Sequence, residues 1–325
     1  MKTQQQIHIE APARLHMGFL DLGGSLGRKF GSIGVGINEM TTSLTLTCSR
    51  GLNAEGPDAA RALKFVEKLS KHLGNPLSVN INIHSAIPSH AGLGSGTQLA
   101  LAIGTGLARL YGLPINLKDL ACLAGRGARS GIGIAVFEQG GLIVDGGRAT
   151  NTVVPPIISR MEMPSEWRFI IVIDQKYQGL HGSDEIEAFR SLPTFPATEA
   201  ARLCHLLMMQ GLPALAERDL PSFGGVIAEI QRSVGDHFSP AQGGQFTSKA
   251  VKKAIGYLTD MGAVGEGQSS WGPTGFCLVE SVERAESLVS EATLQLQDYP
   301  EIQFLIGTAR NHGARINNLE CNFSD

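Results

Sequence analysis

An alternating polar and apolar run, Ser78-Val-Asn-Ile-Asn-Ile-His84, leads into Ile87-Pro-Ser-His-Ala-Gly92-Leu-Gly94-Ser-Gly96-Thr97 and then into small and apolar residues from Gln98 to Leu110. Period two predicts a half-buried strand, and the later spacing suits a helix. Glycines at 92, 94 and 96 let backbone N–H groups approach a ligand closely. The helix that follows aims its unpaired donors and the positive end of its dipole at the same point. Such a helix end favours an anion by roughly 0.3 to 1 kcal/mol, more when partly buried. Gly92, Gly94, Ser95, Gly96 and Thr97 therefore read as an anion cradle. A tight turn that uses glycine only for positive φ fits the same letters; the strand before and the helix after favour the cradle.

The chain has 325 residues, enough for a large core and two domains, and its 42% hydrophobic and 18% charged content is that of a globular protein. Its 40 glycines cluster in a few segments, so they are local devices rather than low complexity. A net charge of −3 and a pI near 6.3 argue against a nucleic-acid surface or a polybasic membrane patch. Five scattered cysteines without a C-x-x-C pair fit a reducing compartment and no zinc framework. The opening Met1-Lys-Thr-Gln-Gln-Gln moves directly into a strand, and no apolar run approaches ~18 residues. Neither a leader nor a membrane span is expected, and the expected location is the cytoplasm.

Residues 7–11 and Thr41–Cys48 read as strands. The glycine-rich stretch of about 25 residues between them reads as a long functional loop. Asp58 to Leu73 is an amphipathic helix stopped by Gly74, and Asn116, with Asp119 three positions on, starts another over Leu117 to Leu123. A short buried strand lies between the glycine pairs of Gly140–Gly147. Pro155, Pro156 and Pro164 interrupt all periodicity, which predicts one domain over 1–155, carrying the phosphate loop, and a second over 156–325. Trp167–Ile173 then reads as a central strand. Helices are expected at about 183–190, 197–210, 213–233 (broken at Pro221) and 247–261. The tail reads as strand Gly275–Glu280, helix 282–296 and strand Ile302–Gly307. Both halves are mixed, so the expected class is α+β.

Residues 11–36 set Arg14, His16, Asp21 and Arg28 among glycines. An arginine near a carboxylate is commonly a surface pair. On a glycine-rich loop adjoining a phosphate cradle, such charges have a ligand to serve. Gly125-Arg126-Gly-Ala-Arg129-Ser130 and the following Glu138 add two guanidinium forks, suited to phosphate or to a solvated helix end. Residues 262–275 hold Ser269, Ser270, Trp271 and Thr274, where the tryptophan suits either a ligand face or a core. His16, His90, His181, His237 and His312 show no metal-ligand spacing, and no Walker A loop, Rossmann fingerprint or G-x-S-x-G elbow is present.

Three segments, in this order, resemble the GHMP superfamily of small-molecule kinases: Ala11-Pro-Ala-Arg14, Pro88-x-x-x-Gly92-Leu-Gly-Ser95, and residues 262–275. The likeness implies an N-terminal domain like domain 2 of ribosomal protein S5 and a ferredoxin-like C-terminal domain. Mevalonate-type kinases carry Ser-Gly-Ile-Asp, with the Asp as base, where this chain reads Ser130-Gly-Ile-Gly133. The second serine of their loop, usually a magnesium ligand, falls at Gly96, and Arg14 replaces their common lysine. The anion-binding parts persist while the parts for kinase chemistry are missing.

Within the superfamily, Arg14-Leu-His-Met-Gly-Phe-Leu-Asp-Leu22, Gly92-Leu-Gly-Ser-Gly-Thr-Gln-Leu-Ala100, Gly125–Gly133 and Ser269-Ser-Trp-Gly-Pro-Thr-Gly275 resemble the β-ribofuranosylaminobenzene 5′-phosphate synthases of methanopterin biosynthesis. The resemblance implies condensation of phosphoribosyl pyrophosphate with 4-aminobenzoate, releasing CO2 and pyrophosphate without ATP. For that reaction, Arg14, His16, Arg126, Arg129, Ser269, Ser270, Trp271 and Thr274 join the cradle as expected phosphate or substrate contacts. Asp21 is expected at the cationic anomeric carbon or a ribose hydroxyl, and Arg28 at the leaving group. Mg²⁺ is the expected bridge between phosphate oxygens, with Glu138 as candidate ligand. The expected partners are these small molecules, and the assembly is open, a homodimer included. An ATP-dependent kinase using another base and a non-catalytic phosphometabolite binder remain the alternatives.

Overall fold

The computed structural model describes residues 4–177, 179, 187 and 191–321. His181 and all but Glu187 of the helix expected at about 183–190 lie outside the described residues. The first half runs β1 (Gln4–Asp21), β2 (Phe30–Cys48), β3 (Asn53–Glu55), α1 (Ala59–Leu73), β4 (Val79–Ser85), α2 (Ser95–Tyr111), α3 (Leu117–Leu123), α4 (Ile132–Glu138) and β5 (Leu142–Asp145). It continues through β6 (Ile157–Met161), β7 (Arg168–Asp174), α5 (Ala197–Leu206), a π-turn, α6 (Leu212–Glu217) and α7 (Leu220–Gln242). The rest is α8 (Lys249–Asp260), β8 (Val264–Gln268), β9 (Thr274–Val279), α9 (Val282–Gln295), β10 (Ile302–Gly307) and β11 (Arg315–Cys321). No helix among the described residues is long and apolar enough to cross a membrane.

Two sheets organise these elements. The first has the order β11-β1-β2-β4-β3, with β5 joined to β2 and β6 to β5; the second has the order β10-β7-β9-β8. The expected α+β class is therefore observed, with β7 internal to its sheet as its apolar run requires. The division expected between 155 and 156 does not coincide with the division of the sheets. β6, just beyond it, pairs with β5, and β11, at the far end of the chain, pairs with β1.

The long loop expected between residues 11 and 41 is instead the continuation of two strands. β1 and β2 pair from Gln6↔Thr47 to Asp21↔Phe30, with register shifts at Pro12/Ala13 and His16/Gly18. Ala11, Ala13, Leu15 and Met17 alternate inward, as do Ile33, Val35 and Ile37. Glycine and charge at the intervening positions hid this period-two pattern. Gly34 illustrates why: a Cβ there would lie 2.5 Å from Ile132 Cγ2 and 2.6 Å from the Leu15 carbonyl oxygen, so α4 could not press on the sheet. The interruption expected at Pro221 is present two residues earlier, at Arg218 and Asp219 between α6 and α7, and Pro221 itself sits in the first turn of α7, where a missing N–H costs nothing.

Helices α1 and α2 cover one end of the first sheet, burying Phe65, Val66, Leu69, Leu101 and Ile103 against Ile7, Ile9, Leu44 and Leu46. Full burial of each such side chain is worth about 1.5 to 3 kcal/mol. Helix α3 begins as expected, with Asp119 N–H donating to Asn116 Oδ1 at 3.0 Å. Helices α8 and α9 pack on β7 and β9. Helix α7 packs against β8 and also against β1, which carries residues of the second half onto the rim of the cradle.

Candidate active site

The cradle is built as its sequence requires. Gly94 caps α2 at φ 83° and offers no side chain to the first-turn amides. A left-handed position excludes β-branched residues, and the unsatisfied donors face outward for an anion. The loop is held from behind by the second half of the chain. Ser269 Oγ donates to the Gly92 carbonyl at 2.7 Å, and Thr274 Oγ1 donates to the Ala91 carbonyl at 2.7 Å. Arg14 adds a guanidinium bond to the Gly92 carbonyl, and its backbone N–H donates to Leu93 O at 3.0 Å. Ser269 and Thr274, expected at substrate, thus support the loop instead of lining the cavity.

In front of the loop lies a cavity of about 550 Å³. Arg14, Arg61, Arg126 and Arg129 line it together with Ser95, Gly96 and Thr97, and among the described residues no carboxylate does. A Cβ built on Gly96 would lie 2.7 Å from Arg61 Nη2 and closer still to Arg126 Nη2, so two guanidinium groups crowd one point above the helix end. Two like charges about 5 Å apart repel by roughly 3 kcal/mol at an effective dielectric near 20, a cost that a bound polyanion reverses. Asp58 holds Arg61 in place through an ion pair of 2.8 Å. Beyond Gly96, a Cβ on Gly133 would lie 3.2 Å from Thr97 Cγ2, so residue 133 does face the phosphate loop. Asp145 fixes that approach from behind: it accepts Gly131 N–H at 2.8 Å and the Ser130 hydroxyl at 3.3 Å. Burial pushes its carboxyl above the ordinary range, although these bonds oppose the shift.

The rest of the lining is aromatic and amide-rich. Phe238 and Trp271 stack at 4.4 Å between ring centroids, with Phe19 beyond at 6.4 Å from Phe238. Gln231, Gln242, Gln245 and Gln268 also line the cavity, as does Ser270. Gln268 is fixed by Thr247, whose backbone N–H donates to its Oε1 at 2.7 Å. His16 also lines the cavity, its ring centroid 4.5 Å from that of Phe19. Burial, and then the charge of Arg14, hold its pKa well below the usual histidine range, so the ring is neutral. Its Nδ1 accepts Gly18 N–H at 3.4 Å, which leaves the proton on Nε2. That Nε2 is buried and without a hydrogen-bond partner. Such a donor at a cavity wall suits a ligand oxygen.

Besides Ser269 and Thr274, three further expected site residues do not line this cavity. Asp21 Oδ1 accepts the backbone N–H groups of Gly23 and Gly24 at 2.9 and 2.7 Å, closing the β1–β2 turn. Arg28 donates to the carbonyls of Gly146 and Gly147, both at 2.8 Å, clamping the same turn to the loop after β5. Glu138 is exposed at the end of α4. Conversely, the sequence reading missed Arg61 and the face of α7. Gln231, Val234, Phe238 and Gln242 follow helical spacing on one side of α7, and two amides within an otherwise apolar stripe were the legible signal. Among the described residues no group of three or more His, Cys, Asp or Glu is placed to hold a metal. Among the described residues, the donors lining the cavity do not fit a magnesium ion held by protein carboxylates.

Comparison with known proteins identifies the family and the fold. Residues 60–141 match the family described as GHMP kinases N terminal domain. A curated relative from Methanothermobacter thermautotrophicus, named beta-ribofuranosylphenol 5'-phosphate synthase, is 31% identical over 85% of this chain and 89% of its own length. A relative of the same name from Methanocaldococcus jannaschii is 34% identical over 69% of this chain and 76% of its own. Homoserine kinase from Cytophaga hutchinsonii superposes with a TM-score of 0.64 at 18% identity, covering 96% of this chain and 97% of that one. At that identity the likeness speaks for the fold alone. With its fold shared by the GHMP kinases and its sequence shared with the archaeal proteins, this chain belongs to the beta-ribofuranosylphenol 5'-phosphate synthase family.

Proposed function

We propose that the chain condenses phosphoribosyl pyrophosphate with 4-aminobenzoate, releasing CO2 and pyrophosphate, to give β-ribofuranosylaminobenzene 5′-phosphate for methanopterin biosynthesis. One observation carries the reading: four arginines and a helix end line the same cavity as Trp271, Phe238 and a set of amide side chains. A polyanionic sugar donor and a flat aromatic acceptor are the two chemistries this lining suits.

In this reaction the bond from ribose C1 to the diphosphate oxygen breaks, and its electron pair leaves on diphosphate. The ring carbon bearing the carboxylate, made electron-rich by the para group, forms the new bond to C1. The pair of the ring–carboxylate bond then returns to the ring as CO2 departs. No proton leaves the ring, which is why glycine at position 133 is tolerated. The α donor gives the β product in one inverting displacement, with no covalent enzyme intermediate. The protein's part is electrostatic: Arg14, Arg126, Arg129 and the cradle neutralise departing diphosphate, and the aromatic wall shelters the cationic carbon. A carboxylate gripped by arginine throughout would oppose loss of CO2, so the acceptor carboxylate belongs beside Trp271 instead.

The relatives are named for a ribofuranosylphenol. Amides can donate to or accept from a para amino or a para hydroxyl group, so 4-hydroxybenzoate is the comparison acceptor. The deciding assay supplies phosphoribosyl pyrophosphate and carboxyl-labelled 4-aminobenzoate without ATP, and in parallel ATP with candidate alcohols. Labelled CO2 without ATP is the expected result. ADP formation would instead reveal a kinase, and silence in both arms a binding protein.

A further inference from the structure

Arg61 lies in the first turn of α1, outside every segment whose letters resemble the superfamily motifs. Its Nη1 is tied at 2.8 Å to Asp58, and Ser89 Oγ contacts the same carboxylate at 3.2 Å. These ties fix the plane of the guanidinium and leave its Nη2 over Gly96, within 2.7 Å of where a Cβ there would stand. Arg126 reaches the same point from the other side, at the start of the 126–130 segment that lines the cavity. The space that a side chain at residue 96 would fill is thus taken by two positive groups from separate parts of the chain. They sit over the unpaired first-turn amides of α2, with Asp58 anchoring Arg61 from behind, and among the described residues no carboxylate lines the cavity.

We propose that Arg61 is a diphosphate-binding residue that forms, with Arg126, a two-arginine clamp over Gly96, and that this clamp neutralises the leaving group without a protein-held cation. The assignment rests on the synthase reading and deepens it. A planar fork fixed in advance loses little freedom on binding and can take two oxygens of one phosphate group. Two forks converging on one point therefore select a diphosphate over a monoanion. Among the described residues no carboxylate lines the cavity that would hold a divalent cation independently of the donor.

The test uses the full chain and three calorimetric titrations: inorganic pyrophosphate, phosphoribosyl pyrophosphate, and MgCl2 alone. Arg61→Gln is expected to weaken pyrophosphate and donor by about 10- to 100-fold, the worth of one or two charge-assisted hydrogen bonds, with an unchanged melting temperature. Arg61→Lys, which keeps the charge but not the fork, should recover part of that loss. MgCl2 alone should show no saturable binding. Unchanged pyrophosphate affinity in Arg61→Gln, while the wild type still releases CO2, overturns the clamp and leaves the synthase reading intact. An equal fall in affinity and melting temperature in both variants makes Arg61 structural and also overturns it. Saturable sub-millimolar binding of Mg²⁺ alone overturns the absence of a protein-built cation site. A wild type that neither binds pyrophosphate nor releases CO2 overturns the synthase reading and the clamp together.

Discussion

Ser269 and Gly92, 177 residues apart in sequence, are joined by a 2.7 Å hydrogen bond from the serine hydroxyl to the glycine carbonyl. The same oxygen of Ser269 accepts His16 N–H at 2.9 Å. One side chain thus ties β1, the phosphate loop and the β8–β9 connection together. Ser269→Ala leaves a buried N–H unpaired, and the expected loss of stability is about 1 to 3 kcal/mol. Denaturant unfolding reads the loss, and a parallel drop in donor affinity is expected because the loop is no longer held.

Gly94→Val should abolish donor binding with the fold intact. The residue stands at φ 83°, and a Cβ there would press on Arg14 Cγ at 3.0 Å. A β-branched side chain is strained at that φ and blocks backbone approach to the anion. Titration of phosphoribosyl pyrophosphate into the variant decides it; wild-type affinity would move the cradle elsewhere.

Asp21→Asn should keep turnover within a few-fold of wild type. Its carboxylate serves the turn at Gly23 and Gly24. An electrostatic partner of the cationic carbon would cost about 100- to 1,000-fold when neutralised. Steady-state kcat therefore separates the two roles, and a loss of that size would return Asp21 to the chemistry.

Gly133→Asp should not create a kinase. The new side chain would start 3.2 Å from Thr97, on the rim of the phosphate loop. A carboxylate about 5 Å from one diphosphate charge costs roughly 3 kcal/mol at an effective dielectric of 20, or about 100-fold in rate. Synthase activity is measured beside ATP hydrolysis. Near-normal CO2 release would place residue 133 away from the diphosphate.

Stability should fall as pH drops below about 6.5, the value for histidine in the unfolded chain. His16 is held well below that value by burial and by Arg14, so the unfolded state takes up a proton that the folded state refuses. Asp145, pushed up by burial, acts in the opposite sense, so the histidine is isolated by comparing wild type with His16→Gln. Urea unfolding from pH 8 to pH 5 should show a shallower acid limb in the variant. Parallel curves would mean that the ring is charged in the folded protein.

The phosphate loop was legible because its cause is local. A strand, closely spaced glycines and a helix fix backbone donors within a dozen residues, and α2 starts at Ser95 as the letters require. Most of the second half was legible for the same reason: apolar periodicity alone places β7, β9, α9 and β10. The β1–β2 ribbon was not, because glycine was read as loop when Gly34 serves a close approach of α4 that no local pattern encodes. The roles of the charged residues were also decided by packing. Asp21 and Arg28 sit in a glycine-rich turn that folds back on residues 146 and 147, whereas Arg61, on an unremarkable helix, is turned by Asp58 and Ser89 over Gly96. Composition and spacing thus determined a strand, a glycine-rich loop and a helix N-terminus in that order. Which side chains face that loop depends on contacts between residues far apart in sequence, and only the tertiary structure supplies those.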